Sequence, residues 1–377
     1  MNNMVYLDYA SHTPVDERAL TEFCRIERTF CANPLAAHAL GQAAHDEMHR
    51  TTIGISEFLG VKPAEIIYTS GGSEANNLAI KGIAKAYKHI GKHILSTCLE
   101  HPSVSGTLAA LQQEGYEIEL LKILPNGQID LSGLKTAIRQ DTVLLCISAV
   151  DSELGAIQPI NAIAEILASH PHCKLHIDAA QAIGKIPLCM NGFSTLSFSA
   201  HKFHGLCGLG VLVKREDIVL EPLIHGGASS TIYRSGTPTV ALAAACFMAL
   251  KIAVGEQSAN LEKVRGIQKY VLEKLKTYPP VRINSPADNS PYILNLSVTG
   301  VKAAAFQAAL NKGGVAVSIK SACSTDNSPS RPVMAVSGDK KNALSSWRIS
   351  FSHLTTFQEL DAFFRVFDIC YKECATR

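Results

Sequence analysis

The sequence predicts an α/β fold: a doubly wound, mostly parallel sheet in a large domain, followed by a smaller α+β C-terminal domain. Three observations carry this expectation. Between about residues 50 and 220, helical stretches alternate with short apolar segments, the pattern of strand–helix–strand units. One of these segments, 142–149 (TVLLCISA), is apolar almost without a break, as a strand covered on both faces must be. Beyond about residue 255 the alternation ends, and amphipathic helices and strands follow in mixed order. The expected domains are therefore 1–255 and 256–377, with the N-terminal segment 1–17 packing on the small domain.

The elements follow in order. Residues 65–69 read as a strand, Gly71-Gly72 as a turn, and a helix begins at Ser73. Strands are expected over 92–96, 142–149 and 174–177, the last ending at Asp178. Another, 196–199, ends just before Lys202, and 208–213 is the next. Residues 241–254 and 261–278 read as helices, the second with Leu261, Val264, Ile267, Val271 and Leu275 on one stripe. In the small domain, strands are expected at 293–298 and 315–319 and helices at 302–312 and 356–372. The serines, the two prolines and the breaks at Asn327 and Gly338 mark 324–341 as a mobile segment.

The chain has 377 residues, 47% hydrophobic and 18% charged, a globular composition with room for more than one domain. Its 35 basic and 33 acidic side chains nearly balance, so neither nucleic acid nor an anionic membrane is an expected partner. The opening Met1-Asn2-Asn3-Met4-Val5-Tyr6-Leu7-Asp8 lacks the basic start and apolar core of a secretory signal. The longest apolar run, 240–250, is too short to span a bilayer and reads as a buried helix. The eleven cysteines are odd in number and scattered, with no CxxC and no Cys/His cluster at zinc spacing, so no metal site is expected. Most have apolar neighbours, as Cys146 and Cys246 do, which fits reduced thiols in a cytoplasmic protein.

Two residues point to a chemistry. Asp178, in His176-Ile177-Asp178-Ala179-Ala180-Gln181, and Lys202, in Ser199-Ala200-His201-Lys202-Phe203, both fall just past expected strand ends, where open α/β sheets bind ligands. A lysine able to form an imine, with an acid one structural unit upstream, is what a pyridoxal phosphate enzyme needs. The amine holds the aldehyde, and the carboxylate keeps the pyridine nitrogen protonated so that the ring draws electrons.

The other candidates are weaker singly. The run Thr69-Ser70-Gly71-Gly72-Ser73-Glu74 sets a glycine turn against a helix start, where Gly72 lets the backbone close on an anion and Ser73 can donate to it. Taken alone it also reads as an ordinary N-cap. His101 follows a strand and could stack on a ring or shuttle protons, although the chain has 14 histidines. Gln181 lies one turn from Asp178, and Ser199 and His201 flank Lys202 as phosphate donors or as plain loop residues. Arg234-Ser235-Gly236-Thr237 offers a cation, hydroxyls and a permissive turn. Cys323 sits after an apolar strand, near Lys320, where a thiolate nucleophile would be favoured. Arg348 lies amid apolar strand residues and requires a carboxylate partner, from the protein or from a substrate.

These segments together resemble the cysteine desulfurases, in the class V aminotransferase group of pyridoxal phosphate enzymes. The likeness runs almost end to end. It takes in Tyr6-Leu7-Asp8-Tyr9-Ala10, Asn33-Pro34, His38, Gly41, the run 69–77, Glu100-His101, Glu153-Leu154-Gly155 and Gln158-Pro159-Ile160. It continues through Asp178-Ala179-Ala180-Gln181-Ala182, His201-Lys202, Gly226-Gly227, Arg234-Ser235-Gly236-Thr237, Ser321-Ala322-Cys323 and Arg348-Ile349-Ser350. The resemblance implies conversion of L-cysteine to L-alanine, with the sulfur taken by Cys323 as a persulfide. It implies Lys202 as the lysine that binds the cofactor and later carries a proton, Asp178 as the pyridinium partner, and His101 as the stacking group. It implies Gln181 on the phenolic oxygen, and Ser73, Ser199 and His201 on the phosphate, joined by Thr237 from the other subunit of a homodimer. Arg348 and Asn33 would hold the substrate carboxylate. A sulfur-acceptor protein is implied but not identified.

The chain departs from the family pattern in places. Asp151 and Ser152 stand where two asparagines are usual, the second of them a cofactor contact; Leu35-Ala36 and His12 are further changes, and Lys320 replaces a glycine. Selenocysteine lyase or another class V lyase activity would keep Lys202 and Asp178 and depend less on Cys323. A cofactor-binding scaffold for a sulfur-transfer partner is the alternative from outside catalysis.

Overall fold

The computed structural model describes residues 4–227, 229–320 and 328–375. The chain opens with strand β1 (Val5–Tyr6) and helices α1 (Glu17–Thr29) and α2 (Ala39–Leu59). The alternating region then runs β2 (Ile66–Thr69), α3 (Gly72–Ala86), β3 (His93–Ser96), α4 (Pro102–Gln113), β4 (Glu117–Leu120), α5 (Leu131–Ala137) and β5 (Thr142–Ser148). It continues with α6 (Ile160–Ala168), β6 (Lys174–Asp178), β7 (Thr195–Ser199) and β8 (Gly210–Lys214). After α7 (Val240–Gly255) and α8 (Gln257–Leu275) come β9 (Val281–Ile283), β10 (Ile293–Val298), α9 (Ala303–Lys312) and β11 (Val315–Ala316). The chain closes with α10 (Arg331–Ser337), α11 (Lys340–Ser345), β12 (Ser346–Ser350) and α12 (Phe357–Ala375).

Strands β2 to β8 form one seven-stranded sheet in the order β2-β8-β7-β6-β5-β3-β4. Four of its pairings are parallel, and β8 alone runs against its two neighbours. The apolar run predicted as a doubly covered strand is β5, central and buried along its whole length. Because β2, β3, β5, β6 and β7 point the same way, the loops that follow them gather on one edge of the sheet. The turn after β2 is fixed by close packing. A Cβ on Gly210 of β8 would lie 2.4 Å from the carbonyl carbon of Gly71, so only glycine lets β8 support that turn.

The small sheet, β12-β10-β9, is antiparallel. Trp347 of β12, Phe306 of α9 and Phe367 of α12 pack over it, with Phe306 5.4 Å from each of the other two rings. The N-terminal segment joins this part of the molecule. β1 pairs in parallel with β11, Ser350 N donates to Leu7 O at 2.8 Å, and Ala10 N donates to Ser350 Oγ at 2.9 Å.

Three features differ from the sequence reading. β4 was not anticipated, because its EIEL pattern carries two charges; it is the edge strand, where a charged face meets water. The described part of 324–341 is not a loose loop but two short helices. Ser330 Oγ caps α10 through Val333 N, Asp339 caps α11 through the amides of Lys341 and Asn342, and Gly338 closes α10 in the left-handed conformation. The expected strand at 315–319 shortens to Val315–Ala316, followed by an isolated bridge from Ser318 to Arg348. Among the described residues, no single helix is long and apolar enough to cross a membrane.

Candidate active site

The loops on the carboxyl edge of the large sheet enclose a cavity of about 350 Å³, within the size range of cofactor sites. Each wall comes from a different strand end. Gly72 and Ser73 follow β2, His101 follows β3 and Ser152 follows β5. Asp178 ends β6 with Gln181 in the next turn, and Ser199, His201 and Lys202 close β7. Arg348 enters from β12 of the small domain. Ten of the sequence candidates thus share one cavity. Asn33 does not line it; its Oδ1 accepts from Leu35 N at 2.9 Å and shapes its own turn. Thr237 also lies outside it, in the loop before α7. Cys323 lies outside the described residues.

The anion cradle sits at the start of α3. Gly71 occupies the N-cap and has no side chain with which to cap the first turn. Gly72 N donates to Ser199 Oγ at 2.6 Å, and a Cβ on Gly72 would come within 2.8 Å of that oxygen. Burial, then the neighbouring Lys202 and His12, pull His201 down to about 4. Lys202 Nζ donates to the carbonyls of Ala10 (2.9 Å) and Ser11 (2.7 Å), which hold the amine at the cavity wall.

Asp178 is fixed by a buried network that the sequence did not reveal. Asn76 of α3 donates from Nδ2 to Asp178 Oδ2 (2.9 Å) and to Ser103 Oγ (2.8 Å). Its Oδ1 faces His176 Nε2 at 3.0 Å and accepts from Ser197 Oγ. Since a carboxylate can only accept, the amide has one possible orientation. Ala180 N completes the cage at 3.0 Å from Asp178 Oδ1. Ser103 N donates to His101 Nδ1 at 3.1 Å, and Ser103 Oγ lies 2.8 Å from the same atom. A backbone N–H can only donate, so Nδ1 is the acceptor and the ring proton lies on Nε2. Burial lowers the His101 pKa and favours this neutral form. The signal available in sequence was the run 69–77, which contains Asn76 but gives no hint of its partners.

The carboxylate that Arg348 requires is Asp8. Arg348 is buried; Nη2 donates to Asp8 Oδ1 at 2.8 Å and Nη1 to Ser152 O at 2.6 Å. Nε has no partner among the described residues. The buried guanidinium thus keeps donor capacity for a second carboxylate. Behind the cavity, burial pushes Glu100 up to about 7 while Thr97 and Ser148 each donate to it at 2.7 Å.

Asp151, beside Ser152, accepts at Oδ2 from Glu153 N (3.1 Å) and Leu154 N, whereas its Oδ1 is buried without a partner among the described residues. Burial and then Glu153 push it up to about 8. The folded chain therefore keeps a proton that the unfolded chain releases above about pH 4. Stability falls as pH rises from about 4 to about 8, because the folded state binds more protons across that window. Asp151→Asn removes this slope and is expected to be more stable than the parent by on the order of 1–3 kcal/mol at pH 8, with little difference at pH 4. Urea unfolding at both pH values checks this; parallel profiles would reject it.

Comparison with known proteins follows the same line. The family model described as Aminotransferase class-V matches residues 5–363. Cysteine desulfurase IscS of Pectobacterium carotovorum subsp. carotovorum (strain PC1) is 36% identical over 95% of this chain and 90% of its own. A solved NifS-like protein superposes with a TM-score of 0.90 at 30% identity, covering 97% of this chain and 99% of that one. A structure described as SspA in complex with cysteine gives a TM-score of 0.80 at 30% identity, over 93% of this chain and 99% of that one.

Proposed function

The chain belongs to the class-V aminotransferase family, and from that premise we propose that it is a cysteine desulfurase working with pyridoxal 5'-phosphate. It converts L-cysteine to L-alanine and takes the sulfur onto Cys323 as a persulfide. The observation that carries the reading is the meeting of Lys202 and Asp178 in one cavity, the amine on main-chain carbonyls and the carboxylate caged by Asn76 and Ala180. The relatives named as cysteine desulfurases and the neighbour solved with cysteine support the substrate.

The residues fit the cofactor in charge and size. The glycine turn, the start of α3, Ser73, Ser199 and His201 suit a phosphate, with Thr237 of a second copy completing the set in a homodimer. Lys202 would hold the aldehyde. Asp178 would keep a proton on the ring nitrogen, and its cage prevents the carboxylate from turning away. His101 would be the stacking group, and Gln181 and Ser152 would serve the phenolic oxygen. When bound, the cofactor supplies the electron sink that lets a carbon–sulfur bond break. Arg348 orients the substrate carboxylate, using the donor capacity that Asp8 leaves free. Lys202 would move a proton at the substrate carbon. The Cys323 thiolate would bond to the sulfur as the carbon–sulfur bond breaks, the electron pair of that bond staying on the substrate carbon, which takes up a proton to give alanine; an acceptor protein would later remove the sulfur.

The test is to incubate the purified, cofactor-loaded protein with L-cysteine and to measure alanine and the mass of the Cys323 peptide. Alanine and a persulfide in equal amounts are expected, with the persulfide lost in Cys323→Ala. Undiminished alanine in Cys323→Ala would favour a lyase that does not use the thiol. Cofactor uptake without any alanine would favour a scaffold.

A further inference from the structure

Lys185 is a buried lysine that none of the steps above uses. It is 7% exposed, and among the described residues no carboxylate pairs with it. Burial, then Lys202 and Arg348, pull its amine down to about 7. Its Nζ donates to Gln181 Oε1 at 2.7 Å and lies 6.0 Å from the Tyr292 ring centroid. An amine buried in this way is unfavourable unless it performs a task that a well-packed apolar side chain could not.

The task is legible in Gln181. Its Nε2 donates to Ala10 O at 2.8 Å, the same carbonyl that accepts from Lys202. Lys185 donates to one end of the Gln181 amide and the Ala10 carbonyl, which cannot donate, accepts from the other, so the two partners together hold the amide in one orientation. One of its two N–H groups is used on Ala10. The other remains for the cavity that Gln181 lines. Without Lys185 only the Ala10 carbonyl would oppose a half rotation of the amide, which would direct its oxygen at whatever lies inside.

We propose that Lys185 is a positioning residue: by holding Gln181 Oε1, it makes Gln181 present a donor, and never an acceptor, to an anionic ligand oxygen beside Lys202. The inference rests on the cofactor reading given above, in which that oxygen is the phenolic one. A donor there stabilises the oxygen most when the lysine-linked nitrogen next to it has lost its proton. The donor therefore lowers the pH at which that proton leaves.

The experiment is a pH titration of the absorbance of the pyridoxal phosphate-loaded protein. Lys185→Met should raise the midpoint by about one pH unit. Lys185→Gln, which donates without a charge, should stay near the parent midpoint. In a Gln181→Ala background, Lys185→Met should add no further shift. Lys185→Leu serves as the second apolar replacement if the methionine variant folds poorly. An unchanged midpoint in both apolar variants overturns the proposal. So does a glutamine variant that behaves like the methionine one, or a shift that persists without Gln181, since each assigns Lys185 a direct charge effect or none. A parent protein that takes up no pyridoxal phosphate overturns the cofactor reading itself, and the proposal with it.

Discussion

Lys202→Ala abolishes borohydride trapping of pyridoxal phosphate on the protein and lowers turnover of L-cysteine by on the order of 10⁴-fold or more. The size follows from the two duties of one amine. It binds the aldehyde before substrate arrives, and it moves a proton at the substrate carbon afterwards. No neighbour can take over. Lys185 is held on Gln181, and Lys320 donates to Ser328 Oγ at 3.0 Å on the far side of Ser152. The fold should survive the change. Ala10 O keeps its bond from Gln181, while Ser11 O gives up the one it accepts from Lys202 and borders a cavity that admits water. The urea midpoint is expected to stay close to the parent value. A borohydride label that persists in Lys202→Ala, or that maps to another lysine in the parent, would refute the assignment.

Asp178→Asn should lower turnover by about 10²–10³-fold, the usual scale for losing one preorganised charge at a reacting system. Stability should fall as well, by about 1–3 kcal/mol. Both oxygens of Asp178 accept, one from Ala180 N and the other from Asn76 Nδ2. A carboxamide has one oxygen, so one of these donors would face an NH₂ group. The cage that makes the wild-type carboxylate rigid thus discriminates against its isostere. Cofactor-loaded absorbance and urea unfolding are the two readouts. A variant that keeps parental turnover would show that the ring nitrogen needs no carboxylate here.

Much of this site could be read from the chain because its parts are local. A glycine turn before a helix, an acid at a strand end and a lysine past the next strand each carry a signal in a few consecutive residues. The same holds for Arg348, whose apolar surroundings required an acid even though they could not name Asp8. Long-range partners left no such mark. Asn76 meets Asp178 and Ser103 only after two helices and a strand have packed, and Lys185 looks like an ordinary surface lysine until Gln181 and Tyr292 bury it. The segment 324–341 misled for the opposite reason. Its serine, aspartate and glycine are breakers by composition, but in place they serve as helix caps. β4 was hidden because an edge strand need not be apolar.

The way the two ends of the chain meet has a consequence for biosynthesis. Leu7, Asp8 and Ala10 are bonded to Arg348 or Ser350 of β12, and Ala10 in turn receives Lys202 and Gln181. A ribosome has made the phosphate cradle and the lysine long before it reaches β12. Until then the first residues lack these partners, and the pocket lacks its cationic wall. A nascent chain can fold its large sheet while still attached, but its cavity is complete only once β12 has been made. Arg348 is the last of the cavity's lining residues to be made.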